Sequence, residues 1–333
     1  MKNQLPIALD AMGGDHMPDA ALAGAAQASK LGIPLILVGD ETALKPKLAE
    51  RKLDIPVHHA ADVIGMNEPA SDVRRRKNSS IVQACQLIKD GQASACVSMG
   101  HSGATMAAAL LKLGRIKGVD RPAITANIPT AKGFVLLLDA GANADCRPRF
   151  LQQFALMGSL YCQAMYGIES PSVGLMSIGE EDDKGNELSK GAFALLDQMP
   201  NLNFYGNVEG RDLFKHTTDV MVTDGFTGNV MLKLAEGEAR ELFKWIREAL
   251  MSNWRSKLGA MLVKPALKSV ARKLDPAEYG AQPLLGIDGN VFIGHGSADE
   301  RAVLSALKTV QQAVDAGVLT HLKNELAKTL VAS

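Results

Sequence analysis

Cysteine is scarce in this sequence of 333 residues, and its four cysteines include no CxxC pair. Neither a disulfide framework nor a thiolate metal site is indicated, so we expect the reduced thiols of a cytoplasmic protein. No run approaches the roughly 18 consecutive apolar residues of a membrane-spanning helix, and the N-terminus has no apolar signal-peptide core. Basic and acidic residues balance at 36 each, which argues against a nucleic-acid partner.

Short apolar runs alternate with helical patterns along most of the chain. Apolar runs that predict strands occupy 6–10, 34–38, 95–99, 134–139, 173–178, 220–224 and 291–293. This alternation is typical of an α/β protein with three layers, in which a mainly parallel sheet has helices on both faces. We expect one compact α/β unit over residues 1–333, built either as a single body or as two lobes that flank a cleft.

One segment, 241–275, breaks the alternation. It contains both tryptophans, and between positions 243 and 274 it has eight basic residues against one acidic residue, a balance of about +7. Apolar residues recur at helical spacing, and Pro265 predicts a break between two helices. We interpret the segment as an inserted amphipathic helical hairpin, whose apolar face meets either a second copy of the chain or an anionic membrane. Candidate membrane contacts are Trp254, Leu258, Leu262 and Leu267.

Ligands of parallel sheets bind beyond the carboxyl ends of strands, and there the sequence places glycines and polar side chains. The clearest case is VSMGHSGAT at 97–105, where a strand ends and a helix begins. Free N–H groups at a helix start attract anions, so Gly100, Ser102, Gly103 and Thr105 predict a phosphate site. An ordinary turn between strand and helix would have the same composition.

The same design recurs at three other strand ends. VTDGFTGNV at 222–230, GHGSAD at 294–299 and ALDAMGGDH at 8–16 each bring polar groups to a glycine-rich turn. Together they predict one cleft for an anionic ligand. A P-loop and a complete GxGxxG motif are both absent. The candidate ligand-binding residues here are Asp10, Asp224, Gly225, Thr227 and Gly228, and the candidate proton-transfer or phosphate-binding histidines are His16 and His295.

Two charged segments have two interpretations each. The acidic run in SIGEEDDKGNE at 177–187 is either a solvated loop or a divalent metal site, and we expect no metal, because the spacing of the acids is not diagnostic. Within it, Lys184 either neutralises the neighbouring acids or reaches the anion, and Asn186 is a further candidate ligand-binding residue. The basic run Arg74, Arg75, Arg76 and Lys77 is either a solvated surface or a docking site for an acidic partner.

These motifs, taken in order, resemble those of the PlsX family of phosphate acyltransferases, over about residues 5–315. The resemblance rests on ALDAMGGD (8–15), RKNSS (76–80), VSMGHSGA (97–104), RIKGVDRPA (115–123), LLLDAGANADCRP (136–148), SIGEEDDKGNE (177–187), VTDGFTGNV (222–230) and GHGSAD (294–299). The chain departs from the family where it has His101 in place of an asparagine, Ser102 in place of a threonine and Asn78 in place of a frequent aspartate.

The resemblance implies a dimeric enzyme of phospholipid synthesis with an isocitrate/isopropylmalate dehydrogenase-like fold. It would transfer a fatty acyl group from acyl carrier protein to inorganic phosphate without a cofactor, at the inner face of the cell membrane, and a membrane glycerol-3-phosphate acyltransferase would take the product. Phosphate is itself a nucleophile, so we expect Lys184 and Asn229 to act as direct catalytic contacts and His16 or His295 to transfer a proton. Three other functions are alternatives to this one. They are a phosphotransacetylase acting on acyl-CoA, a metal-dependent decarboxylating dehydrogenase and a noncatalytic membrane scaffold.

Overall fold

The computed structural model describes residues 4–330, without the side chains of residues 276, 279 and 330. Eleven strands occur in these residues: β1 (Ile7–Asp10), β2 (Leu35–Gly39), β3 (Val57–His59), β4 (Ala95–Ser98), β5 (Ala123–Thr130), β6 (Gly133–Leu138), β7 (Ser172–Met176), β8 (Asn203–Val208), β9 (Val220–Val222), β10 (Gln282–Leu285) and β11 (Val291–Ile293). All seven predicted strands are present within one to two residues.

The described helices are α1 (Asp19–Lys30), α2 (Glu41–Glu50), α3 (Ser80–Lys89), α4 (Ser102–Lys112), α5 (Pro148–Tyr166), α6 (Glu187–Asp197), α7 (Gly225–Met251), α8 (Trp254–Lys273), α9 (Pro276–Tyr279), α10 (Glu300–Asp315) and α11 (Val318–Leu330). Two short 3-10 helices span Ala70–Arg74 and Gly210–Phe214.

All eleven strands form one sheet in the order β3-β2-β1-β4-β11-β10-β5-β6-β9-β7-β8. Pairing is parallel from β3 to β11 and again from β6 to β8. The three central pairs, β11–β10, β10–β5 and β5–β6, are antiparallel. The sheet is therefore mainly parallel, as predicted, but its two parallel blocks run in opposite directions.

Helices cover both faces of the sheet because strand residues alternate between two cores. Ile7 and Leu9 of β1 pack into the core that also contains α1, α5 and α10. Ala8, between them, packs with α3 and α4 on the opposite face. Successive side chains of a strand point to opposite faces, so this sheet separates two layers of helices. The predicted three-layer α/β fold is confirmed.

The helical hairpin is longer than predicted, and the turn between its two helices is not at the predicted position. Helix α7 already begins at Gly225, and the turn to α8 lies at Ser252 and Asn253, whose side chain accepts a hydrogen bond from the Ser256 N–H at 2.9 Å. The prediction that Pro265 divides two helices is wrong, because Pro265 lies inside α8. A proline removes one backbone donor, and an exposed helix within a hairpin tolerates that loss. Among the described residues, no helix is long and apolar enough to cross a membrane.

Candidate functional site

The reversal of strand direction sorts the predicted site residues into two groups. The carboxyl ends of β1, β4 and β11 share one edge of the sheet, which we call the first edge. The carboxyl ends of β6, β9 and β7 share the opposite edge, the second edge. A single cleft lined by all four strand ends stays a prediction.

At the first edge, Asp10 ties two strand ends together. Its carboxylate is buried and accepts hydrogen bonds from the N–H groups of Met12 and Gly13, both at 3.1 Å, and from the Ser98 hydroxyl at 2.7 Å. The Ser98 hydroxyl in turn accepts the Gly100 N–H at 3.0 Å. A Cβ on Gly13 would lie 2.6 Å from Asp10 Oδ2, so only glycine fits this approach. Asp10 therefore organises the turns, and its predicted contact with a ligand stays a prediction.

His101 begins helix α4 in a structural role. Its Nδ1 accepts the Ala104 N–H at 3.2 Å, the bond with which an asparagine side chain would cap a helix. Ser102 is exposed in the first turn, whereas the buried Thr105 hydroxyl donates to the His101 carbonyl at 3.3 Å. Of the predicted phosphate-binding hydroxyls, Ser102 remains open to a ligand. Gly103 packs beside His101, since a Cβ there would lie 3.0 Å from His101 Cε1.

Both predicted proton-transfer histidines are exposed at the first edge. His295 Nδ1 lies 2.8 Å from the Ser297 hydroxyl. His16 lines an open depression of about 810 Å³ together with Asp15, Asp19 and Arg51. The strand-end loops that bear the two histidines are joined directly, because the Asp15 N–H donates to the Gly296 carbonyl at 2.8 Å.

A loop at 60–79 borders the first edge and contains the predicted docking residues. Arg76 forms ion pairs with Asp62 and, at 2.6 Å, with Glu68, and its pKa is raised by both carboxylates. The Arg76 guanidinium also holds the pKa of Asp62 below its ordinary value. Arg76 therefore stabilises the loop, while Arg74, Arg75 and Lys77 are exposed.

At the second edge, a buried carboxylate that the sequence reasoning did not single out organises the turn after β6. Asp139 Oδ1 accepts the N–H groups of Ile124, Gly141 and Ala142 at 2.9–3.1 Å. Oδ2 accepts the Asn143 N–H at 2.8 Å and the Asn143 side-chain amide at 2.9 Å. Burial raises the pKa of Asp139, and these donors oppose the rise. The sequence signal was an aspartate directly after the apolar run at 134–138 and before Gly141.

Helix α7 begins against this turn. Asp224 caps it by accepting the Thr227 N–H at 2.9 Å and the Thr227 hydroxyl at 2.8 Å. Gly225 and Gly228 allow a close approach: a Cβ on Gly225 would lie 2.6 Å from the Asn143 carbonyl oxygen, and one on Gly228 would overlap the Asp139 carbonyl. The contact leaves Asn229 exposed at the first turn of α7, next to Gly141.

The loop that follows β7 places Lys184 at the same edge. Strand β7 pairs directly with β9, so this loop and the start of α7 leave adjacent strands. Lys184 is exposed, and Asn186 caps α6 by accepting the Ser189 N–H at 2.9 Å. Asp224 and Asn186 thus have structural roles as helix caps. The side chains of Lys184 and Asn229 are exposed to solvent.

Two other groups at the second edge are candidates for a role in chemistry, a cluster of carboxylates that could bind a metal ion and the thiol of Cys146. Glu180, Glu209 and Asp212 come close enough to hold a cation, but Arg211 already pairs with Glu209 at 2.5 Å and with Glu180 at 3.5 Å. Burial raises the pKa of the nearby Cys146 thiol to about 11. Such a thiol is protonated at neutral pH and is a poor nucleophile.

Comparisons with known proteins agree with this architecture. A family model described as "Fatty acid synthesis protein" matches residues 5–321. A phosphate acyltransferase of Thermus thermophilus is 56% identical over 321 residues, covering 96% of this chain and 98% of the relative. One from Elusimicrobium minutum is 52% identical over 328 residues, covering 97% and 96%.

Solved structures resemble the fold at low sequence identity. A phosphotransacetylase, EutD, from Staphylococcus aureus superposes with a TM-score of 0.61 at 16% identity and 94% coverage of both chains. A 4-hydroxythreonine-4-phosphate dehydrogenase from Klebsiella pneumoniae gives a TM-score of 0.57 at 11% identity, covering 93% of this chain and all of the other. These likenesses support the α/β fold alone. The family model and the close relatives go further: this chain belongs to the fatty acid synthesis protein family, the PlsX family of phosphate acyltransferase enzymes.

Proposed function

We propose that this enzyme transfers a long-chain fatty acyl group from acyl carrier protein to inorganic phosphate and so forms an acyl phosphate for glycerol-3-phosphate acylation. Transfer of an acyl group to phosphate follows from the name of the close relatives, phosphate acyltransferase. One structural observation supports the phosphate site: Lys184 and Asn229, two exposed donors, follow adjacent strands at the second edge.

Such a site needs no nucleophile of its own. A phosphate oxygen attacks the thioester carbonyl, the carbon–sulfur bond breaks, and the departing thiolate takes up a proton. Lys184 and Asn229 hold phosphate beside the carbonyl and stabilise the oxyanion that develops there. The proton transfer predicted for His16 or His295 and the anion contact predicted for Ser102 belong to the first edge, and they act in this reaction only if the two edges meet around one ligand.

The test compares folded variants that each lack one donor. Lys184→Ala and Asn229→Ala should each lower turnover roughly 10²–10³-fold, the usual effect of losing one such donor. Lys190→Ala removes another exposed lysine and should leave turnover unchanged. Ser102→Ala and His295→Ala measure the contribution of the first edge. Turnover like that of the wild type in both Lys184→Ala and Asn229→Ala would remove the second edge from the mechanism.

A second candidate donor is acyl-CoA, because solved phosphotransacetylases share this fold. The two donors differ in charge and size, since acyl carrier protein is an acidic protein. The exposed Arg74, Arg75 and Lys77 offer an acidic carrier protein a basic surface. This surface borders the first edge, so the acyl thioester of a carrier bound there has to reach across to Lys184 and Asn229 at the second edge. Phosphate-dependent formation of acyl phosphate, measured with both donors at equal acyl-chain length, decides between them.

The hairpin of α7 and α8 supports two further proposals. Its balance of about +7 over 243–274, with exposed Trp254, Leu258 and Leu262 and half-buried Leu267, fits peripheral binding to an anionic membrane surface at the inner face of the cell membrane. An amphiphilic acyl phosphate would pass from there to a membrane glycerol-3-phosphate acyltransferase. The same exposed apolar face fits a homodimer.

Cosedimentation with vesicles tests the membrane proposal. We expect salt-sensitive binding to phosphatidylglycerol vesicles and little binding to neutral ones. A variant with Leu258, Leu262 and Leu267 replaced by glutamate should lose that binding and keep its activity in solution. Undiminished binding of this variant would show that another surface contacts the membrane.

A further inference from the structure

An exposed apolar row runs along α7 from its first turn. Phe226, Val230 and Leu234 are four residues apart and are 65%, 51% and 69% exposed. Residues at this spacing lie on one side of a helix, so the three side chains form a continuous strip. Gly237 continues the strip, and a Cβ there would meet no atom within 4 Å. We call these four residues the α7 row.

The adjacent strand end adds to the row. Ile178, two residues beyond the end of β7, is 81% exposed. It follows the end of β7, and β7 pairs with β9, the strand that leads into α7. Single exposed apolar residues are common on proteins, but a contiguous patch next to a polar site marks a binding surface.

The orientation of the row is fixed by the other side of the helix. Met231 and Leu232 pack against the core formed by β6 and β9, and Gly225 and Gly228 abut the Asp139 turn. Because these contacts fix the orientation of α7 about its axis, the side chains of the α7 row stay on the exposed side of the helix.

We propose that the α7 row, with Ile178, binds the hydrocarbon chain of the acyl donor. This inference rests on the proposed acyl transfer, because it assigns the nonpolar part of that substrate. The argument is one of continuity. Asn229 offers a polar donor near the start of α7, where the apolar strip also begins, and Lys184 lies in the loop that follows the adjacent strand β7. A fatty acyl thioester has the same division, with a polar reacting end and an apolar tail.

The length and the end of the row agree with this occupant. At 1.5 Å per residue, the strip from Phe226 to Gly237 extends about 16 Å along the helix axis. One turn later Glu241, which pairs with Lys244 at 3.5 Å, places charge on that side. Lys233 and Glu238 border the strip within this length, and Lys233 pairs with Glu236 at 3.1 Å. The row is thus a narrow apolar strip between charged residues, with a length suited to a long chain.

Chain-length dependence tests the proposal. In Val230→Asp/Leu234→Asp, kcat/KM for a palmitoyl donor on acyl carrier protein should fall at least 10-fold, while kcat/KM for a hexanoyl donor changes less than 2-fold. Leu31→Asp is the control, because Leu31 is 60% exposed at the end of α1 and lies outside the row. Both measurements use the full-length enzyme, with unfolding curves to establish that each variant is folded.

A second measurement does not depend on turnover. In Leu234→Cys, a palmitoyl donor should slow maleimide labelling of the new thiol, and a hexanoyl donor should not. Equal loss of kcat/KM for both donors, or labelling that neither donor slows, would overturn the proposal. Dissociation of a dimer in the double variant, seen by sedimentation equilibrium, would assign the row to an interface between copies instead. Wild-type enzyme that forms no acyl phosphate from either donor would refute the proposed function, a result distinct from these.

Discussion

Two glycines of the same helix should respond to alanine in opposite directions. A Cβ on Gly228 would overlap the Asp139 carbonyl oxygen and lie 3.0 Å from its carbon and 3.1 Å from Thr223 Cγ2. The obstacle is backbone that five hydrogen bonds to the Asp139 carboxylate hold in place, so neither side can give way cheaply. Gly237 has no atom within 4 Å of the same position.

We therefore expect Gly228→Ala to lower the free energy of unfolding by about 1–3 kcal/mol, the usual cost of forcing an extra methylene into a packed site. Gly237→Ala should raise it by up to about 1 kcal/mol, because alanine is the better helix former. Gly228→Ala should also lower turnover, since the displaced turn carries Asn229. Urea unfolding of both variants under identical conditions measures the difference.

The two variants control for each other, because both replace glycine by alanine within α7. Equal unfolding midpoints, or a stabilised Gly228→Ala variant, would refute the claim that α7 is packed against the Asp139 turn.

Three further predictions follow from single contacts. His101→Asn should retain the cap of α4 and the stability of the wild type, whereas His101→Ala should lower the free energy of unfolding by about 1 kcal/mol in urea titrations. Replacing Arg74 and Arg75 by glutamate should raise KM for a carrier-bound donor but not for phosphate; a carrier dependence that stays unchanged even at low salt would exclude this surface. Because Arg76 lowers the pKa of Asp62, that ion pair stabilises the fold above the ordinary aspartate pKa and is lost as pH falls through the lower folded value. Protease cleavage of the loop at 60–79 should therefore increase on acidification in the wild type, and Asp62→Asn should be cleaved readily already at neutral pH.

The sequence predicted seven of the nine strands in the two parallel blocks, missing the outermost strands β3 and β8, but it did not predict how the blocks are joined. Seven strands follow from apolar runs that end in polar or glycine residues. The joining strands are less visible, since β5 and β10 each contain a proline, Pro129 and Pro283, which usually argues against a strand within a sheet. The direction of a strand depends on long-range pairing, and local periodicity does not encode it. The separation of the two edges could therefore not be foreseen.

At the candidate site, sequence reasoning identified residue types better than residue roles. Asp10, Asp224 and Asn186 were predicted to contact an anion, and in the structure they also cap helices or bind turns. Their contact with an anion stays a prediction. Short polar side chains after strands serve both purposes, and only the partners of the oxygen atoms distinguish them. The hairpin turn was misplaced for a similar reason: Pro265 was the stronger signal, but Asn253 makes the cap.

The contact between Gly228 and Asp139 also makes α7 a rigid arm fixed at one end. The helix has 27 residues, so its far end lies about 35 Å from Asn229. Asn229 is one residue from the fixed point, about 1.5 Å along the axis. A swing of several ångströms at the hairpin tip, on meeting a membrane or a second copy, therefore displaces the backbone at Asn229 by a small fraction of that distance. If the hairpin binds a surface and Asn229 contacts the substrate, as proposed above, movement at one end of this helix leaves the position of Asn229 at the other end almost unchanged.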